Sequence, residues 1–147
     1  MPYIKLSVHL IWSTKNRDHL ISKELKPKLL AHIKENAKVK DIYINTINCV
    51  SDHIHVLISL KGEQSVSKVV QLLKGESSFW VNKNKLCKFK FEWQDEFIAV
   101  SVSESAVDKV RVYIKNQEEH HRTKSFKEEY DLFVKKYGFH KLTAKAD

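Results

Sequence analysis

The chain contains few of the residues that interrupt or cross-link a polypeptide. Its 147 residues include three glycines, two prolines and two cysteines. Flexible linkers are usually rich in glycine, serine or proline, so the sequence shows no division into separate domains. A chain of this length can bury a core without cross-links. We expect one domain over residues 1–147, with a core over about 1–122 and an additional helix over about 125–138.

The two cysteines, Cys49 and Cys87, lack the short spacing of metal or redox motifs. The sequence also has no signal-peptide pattern and no apolar run long enough to span a bilayer. These absences predict a reducing, cytoplasmic location without membrane attachment. Cys49 falls in a predicted strand, where we expect a buried free thiol.

Positive charge is in excess. The chain has 26 Lys and Arg against 18 Asp and Glu, which gives a net charge of +8 and a pI near 9.4. Such an excess favours a polyanionic partner, since each cation paired with a phosphate releases condensed counterions. The positive residues are spread along the chain rather than collected in a tail.

The hydrophobic pattern alternates between the periods of strands and helices. Strands are predicted over residues 3–13, 41–50, 53–60, 89–93 and 97–102. Helices are predicted to begin near Ser22, Ser65, Ser105 and Ser125, the last two with capping boxes completed by Asp108 and Glu128, and the last ending at Gly138. This order predicts an α+β fold, an antiparallel sheet covered by helices.

Two histidines, His53 and His55, lie one residue apart in the third predicted strand. Alternation points both to one face of the sheet, with Ile54, Val56 and Ile58 on the other face. Two imidazoles at this spacing can reach one cation, although a pair of purely structural histidines fits the pattern as well. An HxHxDH hydrolase would need an acid at Leu57, and a histidine-triad phosphoesterase would need a third histidine there. A structural zinc site would need further Cys or His nearby.

The third predicted helix could supply what the histidine pair lacks. Tyr113 and Gln117 are four residues apart, so they would share one face of a continuous helix. A tyrosine at the margin of a core and a glutamine facing solvent would give the same spacing. His120 and His121 follow and are alternative ligands.

Taken together, "DHIHVLIS" and "VRVYIKNQEEHH" resemble the single-tyrosine HUH transposases of small bacterial insertion sequences, including the REP-associated tyrosine transposases. HUH denotes His, hydrophobic residue, His. The stretches "HLIWSTKNRDHLI", "SVSKVVQLLKGESS" and "FEWQDEFIAVSVS" are also similar to the family, in the same order.

The resemblance implies a ferredoxin-like HUH endonuclease core and a DNA transposase. Tyr113 would be the nucleophile that forms a 5′-phosphotyrosine, and His53, His55 and Gln117 would bind Mg²⁺ or Mn²⁺. Imidazole suits Mn²⁺ better than Mg²⁺. The substrate would be single-stranded DNA with a hairpin and the working unit a homodimer. The tyrosine helix could complete the site of its own subunit or that of its partner.

Four basic residues in the similar segments are candidate DNA contacts, although exposed charges that only aid solubility are an equal alternative. They are Lys15, Arg17, Lys74 and Arg122. No chemistry is assigned to the C-terminal helix. Two other functions remain open at this point: a domesticated DNA-binding protein without mobility, and a metal-dependent phosphoesterase that acts on small molecules.

Overall fold

The computed structural model describes residues 3–119 and 125–137. Within these residues the chain forms four strands and four helices whose bounds are given below, and residues 117–119 are also helical. They are, in chain order, β1 (Leu6–Ser13), α1 (Leu25–Val39), β2 (Tyr43–Cys49), β3 (His53–Leu60), α2 (Val66–Lys83), β4 (Ile98–Val102), α3 (Val107–Lys115) and α4 (Phe126–Tyr137). Short 3-10 turns at Lys15–Arg17 and Glu104–Ala106 follow β1 and precede α3.

The strands form one antiparallel sheet in the order β2-β3-β1-β4. This order, built from a β-α-β-β-α-β succession, is the ferredoxin-like arrangement. The α+β fold class, with an antiparallel sheet covered by helices, is therefore confirmed. In the part of the chain that the structure describes, no helix is long and apolar enough to cross a membrane.

One face of the sheet, which we call the apolar face, carries the main core. Leu10 and Trp12 of β1 and Ile54, Val56 and Ile58 of β3 are buried there. Helix α1 covers them with the predicted stripe, and α2 adds a second set of aliphatic side chains; these are Leu25, Leu29, Ile33, Ala37, Val69, Val70 and Leu73. The alternation of the strands thus places the main core between the sheet and these two helices.

The opposite face, which we call the histidine face, carries His9, Ile11, His53, His55 and Leu57. In the strand register Ile11 lies opposite His55, and Ser13 lies opposite His53. Helix α3 contacts β2 and β3 on this side. Tyr130 of α4 packs against Ile11 and Ile98. Helices α3 and α4 therefore lie on the same side of the sheet as the histidines.

The strand predicted over 89–93 is wrong. The segment makes only one isolated bridge, between Thr14 and Trp93. The side chain of Asn82 satisfies the backbone of Phe91 instead: the Phe91 N–H donates to Asn82 Oδ1 at 2.8 Å, and Asn82 Nδ2 donates to the Phe91 carbonyl at 2.9 Å. At Phe91, a side chain of α2 thus takes the place of a neighbouring strand as hydrogen-bond partner.

The two predicted capping boxes differ in outcome. Helix α3 has no side-chain cap, because the hydroxyl of Ser105 pairs with that of Ser103 rather than with the helix. At the start of α4, the Glu128 N–H donates to Ser125 Oγ at 3.2 Å, and the Ser125 N–H donates to Glu128 Oε1 at 3.5 Å. The predicted Ser125–Glu128 box is therefore present, and it sets where α4 begins.

Candidate metal and nucleophile site

His53 and His55 are both completely buried on β3, with 0% exposure. They are the first and third residues of the strand, so alternation brings their side chains to the histidine face. β3 is paired on both sides, with β2 and with β1. The two imidazoles therefore project from a rigid central strand.

Each imidazole has a hydrogen-bond partner on its Nδ1 atom. His53 Nδ1 lies 2.8 Å from Asp52 Oδ1. His55 Nδ1 lies 2.9 Å from Nε2 of His9, a buried residue of β1. Such partners fix the orientation of a histidine ring and leave Nε2 for another interaction. Both Nε2 atoms face the same small space under α3 and α4.

Gln117 enters this space from beyond the end of α3. Its side chain is buried, with Nε2 3.1 Å from His53 Nε2, and the same Nε2 donates to Glu129 Oε2 at 3.1 Å. Its other amide atom, Oε1, has no hydrogen-bond partner among the described residues. The structure thus brings Gln117 to the histidine pair.

The prediction that Tyr113 and Gln117 share one continuous helix is wrong. Helix α3 ends at Lys115, and Asn116 leaves helical geometry with φ −95° and ψ 23°. The side chain of Asn48 on β2 explains this end, since its Nδ2 donates to the carbonyls of Ile114 at 2.9 Å and Lys115 at 3.2 Å. Asn48 therefore caps the C-terminal end of α3. A new helical turn begins at Gln117, and the side chain of Gln117 is buried beside His53.

Glu129 on α4 is the residue that the sequence did not reveal. It is 3% exposed, and its carboxylate spans both imidazoles, with Oε1 2.8 Å from His55 Nε2 and Oε2 3.7 Å from His53 Nε2. His53, His55 and Glu129 form a cluster whose ligand atoms all lie within 4.8 Å of one another. In the sequence, Glu129 differs in no visible way from its exposed neighbour Glu128.

The ring of Tyr113 stands beside the histidines. Its centroid is 5.7 Å from that of His55 and 6.3 Å from that of His9, both in edge-on arrangements. The side chain is half-buried, in contrast to the buried Ile114 that follows it. Tyr113 therefore lies at the open margin of the cluster.

The electrostatics of the cluster favour charged His53 and Glu129 and a neutral His9. Burial opposes a charge on His53, but its contacts with Asp52 and Glu129 outweigh this and raise its pKa above the ordinary value. Burial also opposes ionisation of Glu129, yet its contacts with His53 and His55 lower its pKa below the ordinary value. Burial, together with repulsion from His55, lowers the pKa of His9 to about 3.

The candidate DNA contacts fall in different settings. Lys15 and Arg17 are exposed in the turn after β1. Arg17 also lines a groove of about 440 Å³ together with Ser13, Phe97 and Tyr130. The ammonium group of Lys74 instead donates to the backbone carbonyls of Gln94 and Asp95.

Lys74 therefore holds a loop of the protein. Burial lowers the pKa of Lys74. Arg122, His120 and His121 lie outside the described residues.

Comparison with known proteins gives a consistent result. A family model described as transposase IS200-like matches residues 2–117. The ISDra2 transposase TnpA of Deinococcus radiodurans is 27% identical over 119 residues, which cover 77% of this chain and 84% of that protein. The transposase for insertion sequence element IS200 of Salmonella typhimurium is 26% identical over 114 residues, covering 74% of each chain. Glu129 lies beyond the segment that the family model matches.

Two solved structures share the fold. One, from Deinococcus radiodurans and described as a transposase, superposes with a TM-score of 0.63 at 23% identity and covers 79% of this chain and 93% of that one. The other is a REP-associated tyrosine transposase bound to a REP hairpin, with a TM-score of 0.62 at 18% identity over 82% of this chain and 72% of that one.

Proposed function

This chain belongs to the IS200-like transposase family, and we propose that it cleaves and rejoins hairpin-bearing single-stranded DNA through a phosphotyrosine intermediate. A DNA transposase role follows from the family. The observation that carries the finer proposal is the convergence of two segments that are about 60 residues apart in the chain. The imidazoles of β3, the amide of Gln117 and the ring of Tyr113 meet on the histidine face.

The spacing of the polar atoms fits a divalent cation. Two ligand atoms that bind one ion at about 2.1 Å and at right angles are about 3.0 Å apart. The observed separations are 2.8 Å from His55 Nε2 to Glu129 Oε1, 3.1 Å from His53 Nε2 to the Gln117 amide, and 3.1 Å from that amide to Glu129 Oε2. Half a turn of the Gln117 amide would put Oε1, the buried acceptor without a partner among the described residues, in the ligand position.

We assign His53, His55 and Gln117 as metal ligands and add Glu129 as a fourth. Two imidazoles and two oxygens suit Mn²⁺, and the oxygens suit Mg²⁺. A bound cation would neutralise phosphate charge and orient the scissile bond. The four protein ligands leave room in a six-coordinate shell for phosphate oxygens.

Tyr113 is the proposed nucleophile. Its phenolic oxygen would form a bond to phosphorus while the bond to the 3′-oxygen breaks, leaving a 5′-phosphotyrosine and a free 3′-hydroxyl. Attack by a 3′-hydroxyl on the same kind of linkage would reverse the step and rejoin strands. Because the phosphodiester energy is kept in the tyrosine linkage, no ATP is needed. The half-buried position of Tyr113, beside His55, leaves one side of the phenol accessible to a strand.

The groove beside α4 is the proposed path of the single strand. Its lining includes the polar side chains of Arg17 and Asn16 and the aromatic side chains of Phe97 and Tyr130. Arg17 offers a phosphate contact, and an aromatic ring can stack on a base. Ser13, which lines the same groove, lies opposite His53 in the strand register. The groove thus leads toward the proposed metal position.

We further propose that the working unit is a homodimer whose two sites are each assembled from a single chain. Tyr113, His55 and Glu129 of one chain already lie together, which supports assembly within the subunit. The dimer itself is inferred from the family resemblance.

The test is a covalent capture assay. A labelled single strand carrying a hairpin is incubated with the protein and Mn²⁺, and the protein–DNA adduct is separated on a denaturing gel. We expect an adduct with the wild type, none with Tyr113→Phe and a sharp loss with His55→Ala. Tyr43→Phe is the matched control, since Tyr43 is an exposed tyrosine of β2 and should leave the adduct unchanged.

An adduct that persists in Tyr113→Phe would show that another residue is the nucleophile. Binding of many hairpin strands by the wild type without any cleavage would instead favour a DNA-binding protein without mobility. Turnover of a small phosphodiester by the Phe variant would favour a phosphoesterase.

A further inference from the structure

His9 is a buried polar residue that the proposed chemistry does not yet use. It lies on β1, on the histidine face, and is 4% exposed. In the strand register it faces Leu57, while His55 faces Ile11. His9 therefore reaches His55 diagonally across the two strands, and the two ring centroids are 5.1 Å apart.

The contact between the rings is a hydrogen bond between His9 Nε2 and His55 Nδ1, 2.9 Å long. A histidine that binds a cation through Nε2 keeps its proton on Nδ1, and that N–H needs an acceptor when it is buried. His9 Nε2 is an acceptor at the required position, provided that the His9 ring is neutral. His9 is 4% exposed, and burial disfavours a charge on an imidazole, so the neutral ring that leaves Nε2 as an acceptor is the favoured form.

We propose that His9 is a positioning residue that holds His55 with Nδ1 protonated and Nε2 turned toward the metal. This inference rests on the proposed function, because it assumes that His55 is a ligand. The role corresponds to that of Asp52 toward His53, where Oδ1 lies 2.8 Å from Nδ1. The two supports differ in one respect: Asp52 brings a negative charge, whereas His9 orients its partner without adding charge.

A neutral acceptor behind His55 fits a cluster that already contains a carboxylate. Glu129 already brings a carboxylate to the two imidazoles. A second carboxylate behind His55 would add another buried negative charge, with its own desolvation cost. A neutral imidazole provides the acceptor without that charge.

The test measures the affinity for Mn²⁺ alone, without DNA, by the electron paramagnetic resonance signal of the free ion. His9→Phe keeps a ring but removes the acceptor, and we expect Mn²⁺ binding about 10–100-fold weaker, the usual effect of losing such a partner. His9→Gln can place a carboxamide oxygen near the former Nε2, so we expect it to stay within about threefold of the wild type. Ile11→Val is the matched control on the same strand and face, and should also stay within about threefold of the wild type.

Thermal unfolding of each variant is followed in parallel, and His9→Leu replaces the Phe variant if the latter does not unfold cooperatively. The inference is overturned if the acceptor-free variant binds Mn²⁺ as the wild type does. It is also overturned if Gln and Phe weaken binding equally, since only ring packing would then matter.

The outcome separates this inference from the proposed function. A wild type that binds Mn²⁺ but forms no DNA adduct refutes the proposed function, while the His9 affinities still decide the inference. A wild type that binds no Mn²⁺ refutes both the metal site and the role of His9.

Discussion

The two faces of the sheet differ in chemistry although the same strands build them. On the apolar face, Leu10 and Val56 belong to a buried cluster of hydrophobic side chains. On the histidine face, His9, His55 and Glu129 are equally buried but contact one another through polar atoms. Two adjacent residues of β1 or β3 therefore lie on different faces, one in the apolar core and the next in the candidate site.

This contrast shows where the stability of the molecule comes from. Burial of apolar area contributes roughly 25 cal/mol per Å². A buried polar group gives little net stability even when it is paired, and costs about 1–3 kcal/mol when it is not. The apolar face thus carries most of the folding free energy, and the histidine face depends on complete pairing or on a ligand.

The largest stability effect is expected from a cavity on the apolar face. Leu10 is fully buried between the sheet and the helices. Leu10→Ala should lower the free energy of unfolding by about 2–5 kcal/mol, because it removes apolar contacts and leaves a void. Urea denaturation measures the change. A loss below about 1 kcal/mol would show that the two faces contribute more equally than we infer.

On the histidine face, stability should respond to metal instead. Mn²⁺ at 100 times its dissociation constant should stabilise the wild type by about 2.7 kcal/mol. If Glu129→Gln weakens binding tenfold, the same concentration gives only about 1.4 kcal/mol. Asp131→Asn, an exposed residue of the same helix, is the control and should match the wild type. An undiminished gain in Glu129→Gln, measured by thermal unfolding, would remove Glu129 from the ligand set.

Without metal, the stability of the protein should fall as the pH rises above about 6.5, the ordinary value for histidine. The raised pKa of His53 means that its contribution is complete below that value and is lost as the pH passes through the raised one. His53→Gln should flatten the decline above about pH 6.5, because it removes the group whose pKa is raised. His19→Gln, which changes an exposed histidine, is the matched control.

Urea denaturation in the presence of a chelator measures this slope.

At low pH, two other groups make the stability change in the opposite direction. The lowered pKa of Glu129 and that of His9, at about 3, both mean that stability is lost as the pH falls. A wild-type curve that rises as the pH increases above about 6.5 would contradict the charged His53.

The smallest effect concerns thiol reactivity on the apolar side. Burial raises the pKa of Cys49 to about 12, whereas Cys87 is only partly buried. Because the thiolate is the reactive form, iodoacetamide at pH 8 should modify Cys87 and spare Cys49 until the protein unfolds. Mass spectrometry of the native and urea-unfolded protein distinguishes the two. Equal labelling of both thiols in the native state would indicate that the apolar core opens readily.

The division between the faces was predictable from local alternation. The run Ile54, Val56, Ile58 between and beyond the two histidines is sufficient to assign each side chain to a face. The fold class followed from the order of the periodic segments. The proximity of Gln117 to the histidines was expected from the family resemblance rather than from the pattern.

What the sequence did not predict depends on contacts between distant residues. The end of α3 is set by Asn48, 66 residues before Ile114 in the chain. The irregular path at Phe91 is set by Asn82 on α2. Glu129 is distinguished from Glu128 only by the direction in which α4 turns each side chain. The histidine at position 9 could have been found by extending the alternation of β1, which puts it on the same face as Ile11.

The location of β3 in the middle of the sheet has a mechanical consequence. Its ladder is occupied on both sides, so neither imidazole can shift without shearing two strand pairs at once. Gln117 and Glu129, by contrast, arrive from segments laid across the sheet. If the site binds a single strand as proposed, we expect any adjustment to occur in these crossing segments, while the backbone of the histidine pair stays in place.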